Sequence, residues 1–264
     1  KDNTEQRKCL SEVNRLLQEL KNVFRGLTII HELTPRAMDK VLSYGELFSR
    51  MIIVHALASL GLSPVAISAS ECIITDDHFG QAKVDWTRTE KAIGKNLLPY
   101  VSKEQIPVMQ GFIGGTESGT VTTLGRGGSD YTAAIIGAIC KANEIQIWTD
   151  VNGFLTADPS IIPEASTIPE LNIYEARELA HFGARVLHPK SVLPAIERDI
   201  PVYIKNTFEP DHEGTLLSDN ENAEGIHGMT ALKNLCLISL DGNQSDSDSV
   251  IPLEQQISPE VFLR

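Results

Sequence analysis

Apolar residues follow two different spacings along the chain. Where they recur every three or four positions, the pattern predicts helices, over about 5–24, 34–42, 45–60, 87–101, 130–142, 173–182 and 189–198. Short continuous apolar runs predict buried strands, over about 64–69, 106–114, 145–150 and 200–207. A short hairpin or loop is expected between the second strand and a glycine-rich stretch that follows it.

This alternation of short strands and helices indicates the fold class. We expect an α/β fold in three layers, with a mainly parallel sheet covered by helices on both faces. No internal repeat is present. Ligands of such folds bind beyond the carboxyl ends of the strands. Candidate chemistry is therefore sought in the polar segments that follow the predicted strands.

Size and charge narrow the function classes. The chain has 264 residues and a formal net charge of −12, enough for one large or two modest domains. The charge argues against a nucleic-acid or membrane surface, which needs a basic face. No stretch is expected to reach the length of a membrane span. Four scattered cysteines without a CxxC pair favour free thiols and a cytoplasmic location over zinc or disulfides.

The stretch TLGRGGSDYTAAIIGA, residues 123–138, is the clearest chemical signal. Gly125, Gly127 and Gly128 allow a sharp turn and a close approach to a ligand, and the following helix start suits a phosphate. The loop is neither a Walker A motif nor GxGxxG, because Asp130 stands at the sixth position. A plain structural turn remains the alternative.

Charged residues in this loop favour a binding role. Arg126 is a fork-shaped donor for a carboxylate or phosphate. Asp130 would place a negative charge in an anion pocket, where it could orient the cationic groups that bind the anion. The alternative is that Ser129 or Asp130 only caps the helix. Metal ligands are not expected at this site.

Other polar clusters each have an ordinary explanation as well. Thr149 and Asp150 follow a predicted strand and suit a nucleoside, although turn chemistry contributes there. Arg185 lies beside a glycine in FGARVLHPKS, and His188 of that segment is expected to be a packed or capping histidine. Glu46 lies near a helix start, where a solvated carboxylate is the usual explanation.

Together these segments resemble aspartate kinases, within the amino-acid kinase family. The matching stretches, in the order found in that family, are YGELFS (44–49), MQGFIG (109–114), TTLGRGGSDYTAA (122–134), IWTDVNGFLTADP (147–159) and FGARVLHPKS (182–191). The resemblance extends over about 25–220. Residues from 228 onward resemble the start of a regulatory ACT domain, as in monofunctional aspartokinases and in bifunctional aspartokinase–homoserine dehydrogenases.

The resemblance implies a domain layout and an activity. Residues 1–227 would form the catalytic domain, and 228–264 part of a discontinuous α+β ACT domain, although 243–249 also reads as a linker. The activity would be ATP-dependent phosphorylation of the side-chain carboxylate of L-aspartate, with Mg²⁺, early in lysine, threonine and methionine biosynthesis. Lysine or threonine feedback, a homo-oligomer and a cytoplasmic location are implied too.

The resemblance also assigns roles to residues. Arg126 would bind a substrate carboxylate, Glu46 its amino group, and Phe112 would line the substrate site. Catalysis would depend on Arg126 and Asp130. A larger set completes the expected site: Ser129 toward the substrate, and Gly127, Gly128, Thr149, Asp150 and Arg185 toward the nucleotide.

Some positions depart from the family pattern. Arg185 stands where lysine is common, Leu155 where tyrosine often lies near the nucleotide, and Ser160 where arginine often follows Asp-Pro. The family's Lys-Phe-Gly-Gly strand is not found, so a protein beginning at Lys1 is expected to show little kinase activity. Two alternatives stay open: a non-catalytic amino-acid-sensing or assembly subunit, and a relative acting on glutamate, acetylglutamate or UMP.

Overall fold

The computed structural model describes residues 3–181, 186–188, 191–219 and 225–231. Its α-helices in these ranges are α1 (Asn3–Ile30), α2 (Pro35–Ser59), α3 (Trp86–Asn96), α4 (Leu98–Val101), α5 (Gly128–Cys140), α6 (Ile173–His181) and α7 (Leu193–Ile196). Its strands are β1 (Pro64–Ile67), β2 (Ile74–Thr75), β3 (Ile106–Met109), β4 (Ile113–Thr116), β5 (Val121–Thr123), β6 (Ile145–Thr149), β7 (Glu170–Asn172), β8 (Val202–Asn206) and β9 (Thr215–Ser218).

The strands of the described ranges pair in three small sheets. Their orders are β1–β3, β2–β4–β5 and β6–β8–β9–β7. Four pairs are parallel, namely β1 with β3, β2 with β4, β6 with β8 and β7 with β9. The β4–β5 hairpin and the β8–β9 pair are antiparallel. The predicted mixed α/β class, the mainly parallel pairing and the hairpin are confirmed.

The single sheet that the sequence predicts is divided in the described ranges, and α5 packs against both the core of the β6–β8–β9–β7 sheet and the core beside β1 and β3. Ala134 of α5 belongs to the apolar core beneath β6, β8 and β9, which also contains Phe154 and Leu217. The next residue, Ile135, belongs to a second core with Ile67 and Ile93. Because α5 is apolar on both of these faces, it joins the two parts by side-chain packing rather than by strand pairing.

Two predicted helices are in fact one. The pattern predicts separate helices over 34–42 and 45–60, but α2 continues through Gly45. A glycine inside a helix costs about 1 kcal/mol relative to alanine. Tertiary packing outweighs that cost here, because Met51 of α2 packs in one buried cluster with Leu16 of α1.

Other boundaries differ for local reasons. The strand predicted over 106–114 is two strands, because Phe112 adopts a left-handed backbone with φ of 67°. The helix predicted over 87–101 is divided into α3 and α4 at Leu97. In the region predicted as a helix over 189–198, the structure describes only the short α7.

α2 also corrects the expectation about membrane spans. By length and composition it is apolar enough to cross a membrane, which the sequence analysis did not foresee. This is weak evidence for a span, because a core helix of a globular domain has the same composition. α2 packs against α1, β1, β3 and β5, and its Asp39 side chain is buried and hydrogen-bonded to β5. We therefore describe it as a helix of the folded domain.

Candidate active site

The glycine-rich loop leads from β5 directly into α5. Gly125 and Gly127 have φ of 77° and 71°, a region that side-chain-bearing residues rarely adopt. The Gly128 amide donates to the Gly125 carbonyl at 3.0 Å, which closes the turn. The sequence prediction of a sharp turn that ends at a helix start is confirmed.

The N-terminus of α5 is open. Gly127 is its N-cap residue and offers no side chain to accept a hydrogen bond. Within the described residues, the first-turn amides of Ser129 and Asp130 have no backbone acceptor. The alternative that Ser129 or Asp130 caps this helix is wrong, because both lie inside its first turn. Free amides and the positive end of the helix dipole favour an anion at this point.

Phe112 lies against this helix start. Its amide donates to the Thr132 hydroxyl at 3.1 Å, and its carbonyl accepts from the Leu124 amide at 2.9 Å. A Cβ on Gly128 would lie 2.8 Å from the Phe112 ring. The segment after β3 is thus packed tightly against the glycine-rich loop, which brings together two regions that the sequence analysis assigned to one site.

A neighbouring glycine shows the same close packing. A Cβ on Gly111 would lie 2.9 Å from the Ser129 Cα atom. Any side chain at position 111 would therefore displace the first turn of α5. Ser129 is itself exposed, so its hydroxyl is accessible from solvent beside the free amides.

Glu46 is half-buried on α2. Burial raises the pKa of its carboxyl group, because a charged carboxylate loses hydration there. It has no hydrogen-bond or ion-pair partner in the part of the chain that the structure describes. Its partial burial distinguishes Glu46 from a fully solvated surface carboxylate. An unpaired, partly desolvated carboxylate suits a cationic ligand group.

Asp130 is the second carboxylate at the site. Burial raises the pKa of Asp130, and the charge of His188 partly opposes that shift. His188 lies beside the glycine-rich loop, since a Cβ on Gly127 would approach its Cβ atom to 2.9 Å. His188 is half-buried. Arg185 of the same segment lies outside the described residues.

Thr149 and Asp150 lie at the carboxyl end of β6, as the sequence predicts. The Thr149 hydroxyl donates to the Asp150 carboxylate at 3.2 Å, and the Thr149 carbonyl accepts from the Thr207 amide at 2.8 Å. Within the described ranges, no hydrogen bond connects this pair to the glycine-rich loop. Arg126 is exposed on that loop.

Three polar residues that hold this region together, Asp39, Arg50 and Gln110, were not predicted from the sequence. Asp39 and Arg50 lie on the same face of α2 as Glu46, because spacings of seven and four residues return to one side of a helix. Arg50 donates to the Ile67 carbonyl at 2.8 Å and lies 3.4 Å from the Gln110 side-chain oxygen. Charged residues at this spacing in an otherwise apolar helix were the available signal.

Comparison with known proteins is consistent with this geometry. Residues 7–206 match the profile of the amino acid kinase family. The chain belongs to the amino acid kinase family.

Members of the amino acid kinase family with similar sequences carry aspartokinase names. Lysine-sensitive aspartokinase 3 of Escherichia coli (strain K12) is 35% identical over 233 residues, covering 86% of this chain and 52% of that protein. Chloroplastic aspartokinase 3 of Arabidopsis thaliana is 44% identical over 205 residues, covering 76% of this chain and 36% of its own length. The chain thus spans about half, or less, of these curated relatives.

Solved structures of the family agree in fold. The structure of E. coli aspartokinase III in complex with aspartate and ADP has a TM-score of 0.74 and 37% identity, covering 80% of this chain and 47% of that chain. The same enzyme in complex with lysine and aspartate gives the same values. The described residues therefore have the amino-acid kinase fold.

Proposed function

We propose that this chain carries the catalytic domain of an aspartate kinase. The reaction is transfer of the γ-phosphoryl group of ATP to the side-chain carboxylate of L-aspartate. The observation that carries the proposal is the open N-terminus of α5, where the Ser129 and Asp130 amides have no acceptor among the described residues and the helix start packs against Phe112. Relatives named aspartokinase and a similar structure with aspartate and ADP support it.

Charge complementarity supports the assignment of L-aspartate. Glu46, half-buried and unpaired in the described ranges, accepts the substrate ammonium group. Arg126, exposed on the glycine-rich loop, binds the α-carboxylate through its planar fork of donors. An amino acid with an additional carboxylate presents one ammonium group for Glu46 and one α-carboxylate for Arg126, and leaves its side-chain carboxylate for the phosphoryl transfer.

Positioning and charge neutralisation account for most of the chemistry. The substrate carboxylate is already a nucleophile at neutral pH, so it attacks the γ-phosphorus without a general base while the bond from that phosphorus to the β–γ bridging oxygen breaks and ADP leaves. The amides of Ser129 and Asp130 donate toward the oxygens on which negative charge accumulates. The Asp130 carboxylate orients the cationic groups around the transferred phosphoryl. The substrate half of the site thus consists of Glu46, Phe112, Arg126, Ser129 and Asp130.

The nucleotide half follows β6 and the same loop. Thr149 and Asp150 offer a hydroxyl and a carboxylate at the end of β6, which suits a ribose or adenine edge. Gly127 and Gly128 let phosphates approach the backbone, and Arg185 supplies a phosphate ligand. The described residues contain no cluster of three or more potential metal ligands, which fits Mg²⁺ carried by the nucleotide phosphates rather than by the protein. Mg²⁺ supplies neutralisation of phosphate charge.

The layout and regulation form part of the same proposal. Residues 1–227 constitute the kinase domain and 228–264 part of an ACT regulatory domain, with 232–264 outside the described residues. A relative named lysine-sensitive and a similar structure with lysine support lysine as the effector, with threonine as the alternative. A cytoplasmic homo-oligomer completes the proposal.

Hydroxamate trapping with ATP, Mg²⁺ and L-aspartate tests the function in the intact natural protein. Aspartyl hydroxamate is the expected product. Glu46→Gln and Arg126→Ala should each lower kcat/KM for aspartate by about 30-fold or more, because loss of one partner of a desolvated charged pair costs about 2–5 kcal/mol. Exposed Glu90→Gln and Arg7→Ala serve as matched controls.

The outcomes separate the candidate functions. No trapped product from the intact wild-type protein would overturn the proposal. Lysine or threonine binding without product would then favour a non-catalytic sensing subunit. Product with glutamate, acetylglutamate or UMP instead would identify another substrate of the same fold. Unchanged aspartate kinetics in Glu46→Gln or Arg126→Ala would refute those assigned roles.

A further inference from the structure

Asp39 is a charged residue that is almost completely buried. Its side chain is 1% exposed on α2, although carboxylates are rarely buried to this extent without dedicated partners. Moving a carboxylate out of water is costly unless its oxygens accept hydrogen bonds. The hydrogen bonds that stabilise the buried Asp39 carboxylate therefore indicate which segments it holds together.

The Asp39 carboxylate joins α2 to two separate segments. One oxygen accepts from the Gly80 amide at 3.0 Å and from the Thr123 amide at 2.9 Å. The other accepts from the Thr123 hydroxyl at 2.9 Å. The two segments also bond to each other, since the Ala82 amide donates to the Thr123 carbonyl at 2.9 Å. Three chain segments thus meet at one carboxylate.

These bonds lie directly behind the glycine-rich loop. Thr123 ends β5 and is three residues before Arg126. The Gly80 carbonyl lies 3.1 Å from the position that a Cβ on Gly125 would occupy. Fixing Gly80 and Thr123 therefore fixes the start of the loop from two sides.

The same residue is rigidly connected to Glu46. Seven residues are nearly two helical turns, so Asp39 and Glu46 project from one face of α2, about 10 Å apart along its axis. Because α2 is a continuous helix, the bonds of Asp39 set the position of Glu46 relative to β5. Arg50 continues this face and contacts Gln110, which precedes the Phe112 segment.

We infer that Asp39 is a positioning residue for the amino-acid substrate: its bonds to Gly80 and Thr123 hold Glu46 and Arg126 at the separation that binds L-aspartate. The inference rests on the proposed function. Asp39 touches neither substrate nor nucleotide. Thr149 and Asp150 have no hydrogen bond to Asp39, Gly80 or Thr123 in the described ranges, so the nucleoside contacts at the end of β6 should not depend on Asp39, whereas the phosphate contacts of Gly127 and Gly128 lie on the loop that it supports.

Substitutions at Asp39 separate the effect of its hydrogen bonds from the effect of its negative charge. Asp39→Ala removes all three acceptor contacts. Asp39→Asn can keep them, with its oxygen accepting both amides and its NH₂ donating to the Thr123 hydroxyl. Asp39→Asn combined with Thr123→Val removes that last acceptor and leaves the NH₂ unpaired. The double variant also tests the inference if Asp39→Ala does not fold.

The control is a buried neutral side chain in the other half of the molecule. The Thr215 hydroxyl accepts from the Phe154 amide at 2.9 Å and donates to the Ile168 carbonyl at 2.7 Å. It is fully buried. Thr215→Val therefore removes buried side-chain-to-backbone bonds away from Asp39, and it reports the effect of lost stability alone.

Steady-state kinetics in the intact protein give the decisive readout. Asp39→Ala should raise KM for aspartate about ten-fold or more, because small displacements of binding groups carry large penalties. KM for ATP should rise clearly less than KM for aspartate, because Thr149 and Asp150 do not depend on Asp39. Asp39→Asn should largely restore KM for aspartate, and Thr123→Val in that background should raise it again. Thr215→Val should leave KM for aspartate unchanged.

Several results would overturn the inference. These are an unchanged KM for aspartate in Asp39→Ala and in the double variant, an equal rise in both KM values, or the same rise in Thr215→Val. Absence of aspartate kinase activity in the wild type would instead overturn the proposed function, and the inference with it. Wild-type activity combined with a normal Asp39→Ala enzyme would refute the Asp39 role alone.

Discussion

The part of the molecule that holds the glycine-rich loop and the part built on β6–β9 differ in what they bury. In the first part, the buried polar groups include the charged Asp39 and the uncharged Gln110, and Glu46 is partly desolvated. In the second part, the buried polar side chains of the described ranges are neutral, such as Thr215 and Asn206. The half proposed to bind a charged amino acid is therefore held together by charge-assisted bonds.

The two parts also differ in the size of their apolar cores. Fourteen buried apolar residues form the core beneath β6, β8 and β9, against six in the core beside β1 and β3, counted over the described residues. Burial of apolar area is the main favourable term in folding. The β6–β9 half should therefore supply more of the stability, while the other half supplies the substrate-binding charges. The predictions that follow test this division.

Truncation in the larger core should have the greatest effect on stability. Phe154 is fully buried, so Phe154→Ala should lower the free energy of unfolding by about 3–5 kcal/mol. Phe208, which is 80% exposed in the same half, gives a matched control. Phe208→Ala should change the free energy of unfolding by less than about 0.5 kcal/mol. Urea unfolding measures both. Equal effects would contradict the assignment of this core.

Alanine substitutions at two glycines with positive φ separate the cost of backbone strain from the cost of steric crowding. Gly214 and Gly119 have φ of 79° and 81°, so alanine at either position costs about 1 kcal/mol of strain. At Gly214 a Cβ would also overlap the Ile204 carbonyl oxygen, whereas a Cβ on Gly119 would meet no atom of the described residues. Gly214→Ala should therefore destabilise clearly more than Gly119→Ala in thermal unfolding. A similar loss of stability for both variants would show that small shifts of neighbouring atoms relieve the crowding at Gly214.

The start of α2 should contribute a smaller amount. The Thr34 hydroxyl accepts from the Ala37 amide at 3.2 Å and caps the helix that carries Asp39 and Glu46. Thr34→Ala should cost about 1 kcal/mol, and Thr34→Ser should retain most of the stability. Urea unfolding tests this. An equal loss in the serine variant would argue against the cap.

The smallest effect is expected in the pH dependence of stability. Burial raises the pKa of Glu46 and Asp130 from ordinary values of 4.5 and 3.8, so the native state holds these protons more tightly than the unfolded state. The free energy of unfolding therefore falls as pH rises from the unfolded values through the raised native values. Glu46→Gln and Asp130→Asn should stabilise the protein at pH 7 and not at pH 3.

A non-titrating control sharpens this test. Thr215→Val changes no ionisable group, so its loss of stability should be the same at both pH values. Melting temperatures of the three variants at pH 3 and pH 7 give the comparison. Equal shifts at both pH values in Glu46→Gln and Asp130→Asn would contradict desolvation as the cause of the raised pKa values.

Most features that were predicted correctly from the sequence depend on residues close together in the chain. The glycines of the loop and the apolar run after them predict a turn into a helix, and α5 begins there. The helix boundary at Gly45 was wrong because the packing of Met51 against Leu16 outweighs a local propensity. The strand that ends at Phe112 was too long because a positive φ at a phenylalanine is rare and is imposed by its contacts.

The sequence by itself determined the alternation of strands and helices, the glycine-rich turn and the resemblance that names the candidate ligands. These are encoded in neighbouring residues, where periodicity and backbone sterics act. Only the tertiary structure decided which carboxylate is desolvated, that the start of α5 is uncapped, and that Asp39 bonds to Thr123 across 84 residues of chain. Desolvation and long-range hydrogen bonds depend on surroundings that form when distant segments pack together.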